Sequence, residues 1–256
     1  MTLSVIVITK NGEATIRRCL ASVAWADEIV VLDSGSTDRT LEISRELGAA
    51  VHVTPDWPGC GPQRNRAIAR TRGDWVLALD QDEWASPELA EEIRRVVADP
   101  GGHAGFAMPR CSSFCGRFMR HSGWWPDYIT RLFRRDAGRY SDDHLHDRAI
   151  VDGATRRLRH PIMHEAITDL DQMIAKMNSY SSVSAVMFDR QGRSASLATA
   201  MLHGWWAFTR TYFLRLGFLD GRAGFMLAVT NAEGSYYRYL KLALLSEKSD
   251  TCPEEG

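Results

Sequence analysis

Residues 74–83 read Asp74-Trp75-Val76-Leu77-Ala78-Leu79-Asp80-Gln81-Asp82-Glu83 and set the pattern for the whole chain. The part from Trp75 to Leu79 is an apolar run typical of a strand buried on both faces. Three acids within four residues follow it, where such a strand leaves the sheet. Residues two apart in an extended chain project to the same side, so Asp80 and Asp82 aim at one point. Two convergent carboxylates suit a hard divalent cation, and an acidic turn is the alternative.

The segments around this stretch alternate between predicted strands and predicted helices. The strands are Leu3–Ile8, Glu28–Leu32 and Val51–Thr54. The helices are one that Asn11 can cap, Arg39–Leu47, Gln63–Arg70 and one capped by Ser86 that runs to Ala98. This rhythm indicates a parallel sheet with helices on both faces, whose ligands bind at the carboxyl ends of the strands. Three such ends carry polar clusters, so we expect a site there, built from Thr9/Asn11, Asp33–Asp38 and Asp80–Glu83.

Composition excludes several classes of protein. A chain of 256 residues with 45% hydrophobic residues can form one large domain, or one domain with an appendage. The net charge of -1 argues against a general nucleic-acid-binding surface. The five cysteines are odd in number and form no CxxC pair, which favours reduced thiols in the cytoplasm. No basic segment followed by an apolar one opens the chain, so we expect no secretory signal.

The usual nucleotide-binding glycine motifs are absent. No G-x-G-x-x-G follows the first strand, and no G-x-x-x-x-G-K-[ST] occurs in the chain. A dehydrogenase and a P-loop enzyme are therefore disfavoured. A nucleotide held without a glycine cradle fits better, with its diphosphate neutralised by a metal on Asp80 and Asp82.

Four motifs in order resemble those of family 2 glycosyltransferases, and the resemblance extends from Leu3 to about Leu245. They are Val5–Asn11, Val31–Asp38, Gln63–Ala67 and Leu79–Glu83. Two further segments, Gly116–Asp127 and Gly217–Gly221, resemble one branch of that family. That branch adds β-1,4-linked glucose to the inner heptose of the bacterial lipopolysaccharide core.

The resemblance implies the architecture and the reaction. We expect an α/β protein with a GT-A fold, a Rossmann-like and mostly parallel sheet flanked by helices. Residues 1–168 would form the catalytic domain (donor half 1–102, acceptor half 103–168), and 169–256 an amphipathic, membrane-associating helical extension. The implied reaction is an inverting transfer from a UDP-sugar, most simply UDP-glucose, with Mg²⁺ or Mn²⁺. Three alternatives remain: a different nucleotide sugar as donor, a polyprenyl phosphate as acceptor, or a protein that binds nucleotide sugars without catalysis.

The resemblance also assigns donor and metal residues. The donor-binding residues that it implies are Thr9, Asn11, Asp33, Arg64 and Asp80. Among them, Asp33 would accept a hydrogen bond from the uracil ring. The implied metal ligands are Asp82, Asp80 and His164. His164 could instead contact the leaving diphosphate or be a satisfied buried histidine.

An inverting transfer needs a carboxylate that takes the proton from the attacking hydroxyl. Relatives usually carry His-Glu where this chain has His146-Asp147, so the resemblance points to Asp147 as the base. The aspartate side chain is one methylene shorter, which leaves Asp127 as a rival.

The segment from Phe114 to Phe133, which follows a predicted strand at Gly105–Arg110, is rich in aromatic and basic residues. Trp124 and Trp125 cannot both point inward from a regular strand, so we expect one exposed ring that could carry an acceptor sugar. A place in the core is the alternative for each. Arg131, on a predicted strand Ile129–Arg134, would contact acceptor phosphates or lie on a solvated edge.

Residues 197–245 combine apolar and aromatic side chains with a net charge of +3. No apolar run in them approaches the length of a membrane span. Tryptophan, tyrosine and arginine mixed with aliphatic residues suit helices that lie in a membrane interface. We therefore expect a peripheral protein on the inner face of the cytoplasmic membrane that meets a lipid-linked saccharide acceptor. Packing on the catalytic domain or a dimer contact is the alternative.

Overall fold

Each strand that the sequence predicts is present, with ends shifted by a few residues. The computed structural model describes residues 1–142 and 148–251, with side chains as far as residue 246. Its strands are β1 (Leu3–Thr9), β2 (Glu28–Asp33), β3 (Ala50–Val53), β4 (Trp75–Asp80), β5 (Glu83–Ala85), β6 (Gly105–Phe114), β7 (Arg117–Phe118), β8 (Asp127–Arg134), β9 (Gly138–Tyr140), β10 (Ala149–Val151), β11 (Thr155–Arg157) and β12 (Ile162–Ile167). Its helices are α1 (Ile16–Ser22), α2 (Thr40–Glu46), α3 (Cys60–Ile68), α4 (Pro87–Ala98), α5 (Leu170–Arg190), α6 (Leu197–Thr209) and α7 (Gly221–Thr251).

The contacts divide the chain into two units. The first consists of Met1–Cys111 and Pro126–His164, and the second of Ser112–Trp125 and Glu165–Gly256. The predicted domain division at residue 168 stays a prediction.

In the first unit, six strands follow the order β3-β2-β1-β4-β8-β6. The four strands from β3 to β4 are parallel, and β8 and β6 run antiparallel to their neighbours. Val5 of β1 lies opposite Ile29 of β2 and Leu77 of β4, so β1 is central. The predicted class, a mostly parallel α/β sheet flanked by helices, is confirmed.

Side chains alternate between two apolar cores. Val5 and Val7 pack with residues of α1 and α4, such as Leu20 and Ile93. Ile6, between them in sequence, belongs to the cluster on the other side, which includes residues of β2, β4 and α3. Successive strand residues point to opposite faces, so continuous apolar runs produce a sheet that is buried on both.

One predicted helix cap is confirmed and one is wrong. The Ser86 hydroxyl accepts from the amide of Leu89 at 3.2 Å, as the cap of α4. Asn11 does not cap α1, which begins five residues later at Ile16. Its φ is +50°, and its Oδ1 accepts from the amide of Thr37 at 2.9 Å. The turn between them places the Gly12 carbonyl as the acceptor for the first helical amides, so the Asn11 side chain is left to join the next loop.

In the second unit, α5 and α6 both contact α7, and the unit also contains a π-helical turn (Arg210–Leu214) and a 3₁₀ turn (Gly217–Asp220). An added Cβ on Gly204 of α6 would lie 3.3 Å from the Ala232 carbonyl of α7, so these helices approach closely. The Nζ of Lys241 on α7 donates to Ser181 Oγ of α5 at 2.8 Å. The predicted C-terminal helical extension is therefore present. None of the helices in the described part of the chain combines the length and hydropathy that a bilayer crossing demands.

Candidate functional site

Polar side chains meet at the carboxyl ends of β1 and β4 in the first unit. The two strands pair in parallel, with Ile8 opposite Asp80, so the residues that follow each strand emerge side by side. They line a pocket of about 310 Å³. Its lining residues are Ile8, Thr9, Lys10, Trp57, Asp80, Gln81, Asp82 and His164. The structure thus brings together four residues that the sequence assigns to the donor and the metal: Thr9, Asp80, Asp82 and His164.

Asp80 is held between two arginines. Arg64 Nη2 donates to its Oδ1 at 2.5 Å, and Arg131 Nη2 donates to its Oδ2 at 2.7 Å. Burial by itself would raise the pKa of Asp80, but the two guanidinium groups outweigh it and hold that pKa well below its usual range. Asp80 is therefore ionised, and each of its oxygens is already bound.

Arg131 differs from the prediction. The sequence left a choice between acceptor phosphates and a solvated edge, but the side chain is only 7% exposed. It pairs with Asp80 and also with Glu83, at 3.2 Å. The physical reason is charge neutralisation, because Glu83 is fully buried and an unpaired buried carboxylate is costly.

The ion pairs continue as far as Asp127. Arg110 Nη1 lies 3.7 Å from Glu83 Oε1, and Arg110 Nη2 lies 2.7 Å from Asp127 Oδ2. Arg110 Nε also donates to the same oxygen at 3.1 Å, so the arginine holds the Asp127 carboxylate in place through Oδ2. Its rival for the role of base, Asp147, lies outside the described residues.

Asp82 faces the pocket next to His164. The His164 Nε2 lies 3.6 Å from Asp82 Oδ2, and the Asp82 side chain is 35% exposed. The two approach because β12 pairs with β5, which places His164 opposite Glu83, one residue after Asp82.

The three predicted metal ligands do not form a complete metal site. Within residues 1–142 and 148–251, no three His, Cys, Asp or Glu side chains are arranged to hold a metal ion. The reason is that both oxygens of Asp80 bind arginines. Asp82 remains as the carboxylate ligand, with His164 beside it, and a cation such as Mg²⁺ can be held by one carboxylate while it takes its other oxygens from phosphates and water.

Gln81 closes one wall of the pocket. Its Oε1 accepts from the Thr9 hydroxyl and from the amide of Lys10, the latter at 3.1 Å. An added Cβ at Gly12 would meet the same Oε1, so a larger residue there would displace the Gln81 side chain. Thr9, which was predicted to contact the nucleoside, is 4% exposed, and its hydroxyl donates a hydrogen bond to Gln81.

Asp33 and Asn11 shape a loop beside the pocket. Asp33 is fully buried, and its Oδ1 accepts from the amides of Gly35 and Ser36, both at 2.8 Å. The amide of Asn11 donates to the Ser36 hydroxyl at 2.8 Å. In this conformation the Asp33 carboxylate is enclosed by its own turn, so its predicted contact with a base ring stays a prediction.

The two predicted acceptor tryptophans lie in the second unit. Trp124 is half-buried and meets Phe114 edge-on at 6.1 Å between ring centroids. Trp125 is also half-buried, with the Arg120 guanidinium 4.6 Å from its ring. The expectation of one exposed ring is wrong, because both rings are half-buried and each contacts another side chain. Their acceptor role stays a prediction.

Sequence reasoning gave no role to Trp57 or Lys10, and it placed Glu83 in the polar cluster without a role of its own. Trp57 lies between β3 and α3 and lines the pocket while 51% exposed. Its position after a parallel strand was the available signal, because every such loop reaches the same edge of the sheet. The role of Glu83 had no such signal, since only the folded structure shows which arginines it meets.

Three comparisons with known proteins agree with this geometry. The family model described as Glycosyl transferase family 2 matches residues 4–158. An uncharacterized glycosyltransferase of Rickettsia bellii is 33% identical over 265 residues, covering 98% of this chain and 88% of its own length. The lipopolysaccharide core biosynthesis glycosyltransferase LpsC of Rhizobium meliloti is 26% identical, covering 96% of this chain and 92% of its own. In fold, the chain is similar to the crystal structure of S. aureus TarS in complex with UDP-GlcNAc, with a TM-score of 0.50, 17% identity and coverage of 97% and 92%.

Proposed function

Because the chain belongs to glycosyl transferase family 2, we propose that it moves a sugar from a nucleoside diphosphate to a lipid-linked saccharide, with inversion at the anomeric carbon. The similarity to LpsC supports an acceptor in the lipopolysaccharide core, and we take a heptose of its inner part as that acceptor. UDP-glucose is the proposed donor.

One observation carries the proposal: Asp82 lies 3.6 Å from His164 in a pocket where the neighbouring Asp80 is already neutralised. Asp80 uses its charge to hold Arg64 and Arg131, which leaves Asp82 as the carboxylate that can receive a cation. A site in which Asp80 is neutralised by arginines and Asp82 is open to a cation suits a diphosphate that binds together with a metal ion.

Mg²⁺ or Mn²⁺ held by Asp82, with His164 as a second ligand or a diphosphate contact, would neutralise the charge that develops on the leaving diphosphate. Lys10 and Trp57 line the same pocket. An ammonium group and an indole face can contact a phosphate and a base ring respectively, so we assign them to the donor.

We assign the general base to Asp147. The bond between Arg110 and Asp127 at 2.7 Å favours a positioning role for Asp127, because a charge-assisted pair of this kind fixes the carboxylate in one orientation. In this proposal Asp127 orients the chain around the acceptor, and Asp147 takes the proton from the attacking hydroxyl.

We further propose that the second unit attaches the protein to the inner face of the cytoplasmic membrane. Large apolar side chains around α6 and the turns after it are exposed, with Trp205 at 67% and Leu202 at 66%. Several large apolar side chains exposed on one segment mark an interaction site, and indole rings favour the membrane interface.

A donor screen tests the central proposal. The protein is incubated with a panel of nucleotide sugars in Mn²⁺, Mg²⁺ or EDTA, and the release of nucleotide is followed without acceptor and with core lipopolysaccharide. We expect slow, metal-dependent hydrolysis of UDP-glucose that the acceptor accelerates, and a β-linked product by NMR. No turnover of any nucleotide sugar by a protein that still binds UDP would instead identify a non-catalytic binding protein. Transfer of the sugar to polyprenyl phosphate, and not to core lipopolysaccharide, would identify polyprenyl phosphate as the acceptor.

A further inference from the structure

The second unit contains a cavity of about 500 Å³ that is lined with cations. Lys176 of α5, Arg210 and Arg215 of the π-helical turn and its C-terminal end, and Arg238 of α7 all line it. No Asp or Glu occurs among the described residues of its lining. Like charges gathered around one cavity repel one another, so this lining suits an anion.

Arg238 and Arg215 have positions in the cavity wall that suit the binding of an anion. The Nε of Arg238 is buried and, among the described residues, has no hydrogen-bond partner. A buried donor of this kind costs free energy until it is paired. The Arg215 guanidinium lies against Gly123, where an added Cβ would be 2.4 Å from its Nη1. Gly123 also has φ +79°, so the backbone conformation favours glycine at this wall.

The cavity has a polar wall and an aromatic one. Ser235 and Asn231 of α7 contribute a hydroxyl and an amide group, and Asn231 Nδ2 also donates to the Thr211 hydroxyl at 3.4 Å. The Thr230 hydroxyl lies in the same wall and donates to the Met226 carbonyl at 2.9 Å. Trp124 and Tyr180 contribute rings. Hydroxyl and amide donors beside guanidinium groups match a phosphate that is attached to a sugar, and a ring at the edge offers the sugar a stacking surface.

Exposed apolar side chains flank the same arginines in the chain. Trp206 precedes Arg210 by four residues and is 48% exposed, and Leu214 and Leu216 on either side of Arg215 are 63% and 45% exposed. A ligand whose phosphate enters the cavity therefore has apolar side chains near it. A lipid chain attached to that phosphate can bury apolar surface against these side chains, whereas a free sugar phosphate cannot.

We propose that this cavity binds a phosphate group on a membrane-embedded, lipid-linked saccharide and so holds the acceptor while its lipid remains in the bilayer. The identification of the ligand as the acceptor rests on the proposed function, whereas the phosphate site itself does not. Arg238 and Arg210 are positioning residues here, since they bind the phosphate and not the reacting atoms.

The first test uses a hexose phosphate and inorganic phosphate in EDTA, with the unphosphorylated hexose for comparison. Calorimetry on the full chain should show binding of the phosphorylated probes only. Arg238→Gln and Arg210→Gln should each raise the Kd about 10- to 100-fold, the usual effect of losing a hydrogen bond to a charged group. Arg222→Gln is the matched control, because Arg222 is exposed at the start of α7 and does not line the cavity.

The second test separates the lipid from the free phosphate. Vesicles that carry phosphatidic acid, a phosphomonoester, are compared with phosphatidylglycerol vesicles of equal surface potential. The wild type and Arg222→Gln should prefer the phosphomonoester vesicles, and the two cavity variants should lose that preference. Lys176→Gln provides a third cavity variant on an exposed side chain, in case either arginine change lowers the melting temperature.

The proposal is overturned if the cavity variants bind the probes as the wild type does, if UDP with Mg²⁺ competes for the hexose phosphate, or if both vesicle types bind equally. Calorimetry of UDP with Mg²⁺ is run on every variant. Loss of the hexose phosphate with UDP binding retained localises the effect to this cavity. Absence of UDP binding in the wild type would contradict the proposed function while leaving the phosphate site standing.

Discussion

Arg131 Nη2 lies 2.7 Å from Oδ2 of Asp80, so a buried arginine forms an ion pair with an acid that lines the pocket of the first unit. Arg131 is 7% exposed on its side chain, and Asp80 is 26% exposed. The same guanidinium also neutralises Glu83. Arg131 thus bridges two carboxylates, with Arg64 as a second partner of Asp80 and Arg110 near Glu83, and Asp82 is left as the acid that the pocket presents.

Replacing Arg131 with methionine should lower the free energy of unfolding by about 3–5 kcal/mol, because it strands buried carboxylates without their cation. Arg134→Met is the control: Arg134 is on the same strand, and its partner Asp136 at 3.1 Å is exposed. That change should have little effect on stability, because an exposed ion pair contributes little. Urea unfolding measures both, and equal effects would show that the Arg131 pair is not important for stability.

Asp82→Ala should abolish metal-dependent binding of UDP, because it removes the carboxylate that receives the cation. His164→Gln should weaken the same binding less, since one carboxylate ligand remains. Calorimetry of UDP with Mn²⁺ measures the affinity, and Asp99→Ala on the surface serves as the control. A Kd for Asp82→Ala equal to that of the wild type would remove Asp82 from the donor site.

Asp147→Asn should reduce kcat by roughly 10²–10⁴, the usual contribution of a general base. The donor KM should hardly change, because the base acts on the acceptor hydroxyl in the transition state. Asp127→Asn should mainly raise the acceptor KM, since Asp127 is bound to Arg110. Steady-state kinetics with each substrate varied distinguishes them, and an inactive Asp127→Asn beside an active Asp147→Asn would reverse the two roles.

Asp220 should stabilise the loop that carries Trp124. Its buried carboxylate accepts from the amides of Arg120 and His121, both at 3.0 Å, and from the Ser122 hydroxyl at 3.0 Å. Asp220→Ala should lower the free energy of unfolding by about 2–3 kcal/mol, because it leaves these donors unpaired. Thermal and urea unfolding measure the loss against Asp189→Ala on the exposed surface of α5. A change no larger than that of the control would contradict this role.

The exposed apolar side chains of α6 should bind membranes. Changing Leu202 and Trp205 to glutamine should weaken flotation with phosphatidylglycerol vesicles about tenfold or more per side chain, from the free energy of burying each one. Val186→Gln, an exposed apolar position on α5, is the control. Unchanged flotation of the double variant with an intact melting temperature would favour a protein contact at this surface.

The order of strands and helices was predictable because it depends on local patterns. Continuous apolar runs such as Leu3–Ile8 can be buried only in a sheet that is covered on both faces, and their alternation with amphipathic segments leaves few topologies. The meeting of Thr9 with Asp80 and Asp82 was predictable for the same reason, since parallel strands end at one edge. The predicted cap at Asn11 failed because its side chain is used in tertiary structure, by the amide of Thr37.

The sequence by itself determined the mostly parallel α/β sheet, the edge that carries the pocket and the acids that line it, because strand periodicity and chain direction are encoded within a few residues. Only the tertiary structure decided the charge balance among those acids. Asp80 is bound by Arg64 of α3 and Arg131 of β8, and Asp82 lies beside His164 of β12. No local pattern in the sequence specifies which carboxylate each of these side chains will meet. The same holds for Asp220, which binds the Arg120–Ser122 loop from about a hundred residues away, because side-chain pairing in a folded chain depends on distance in space.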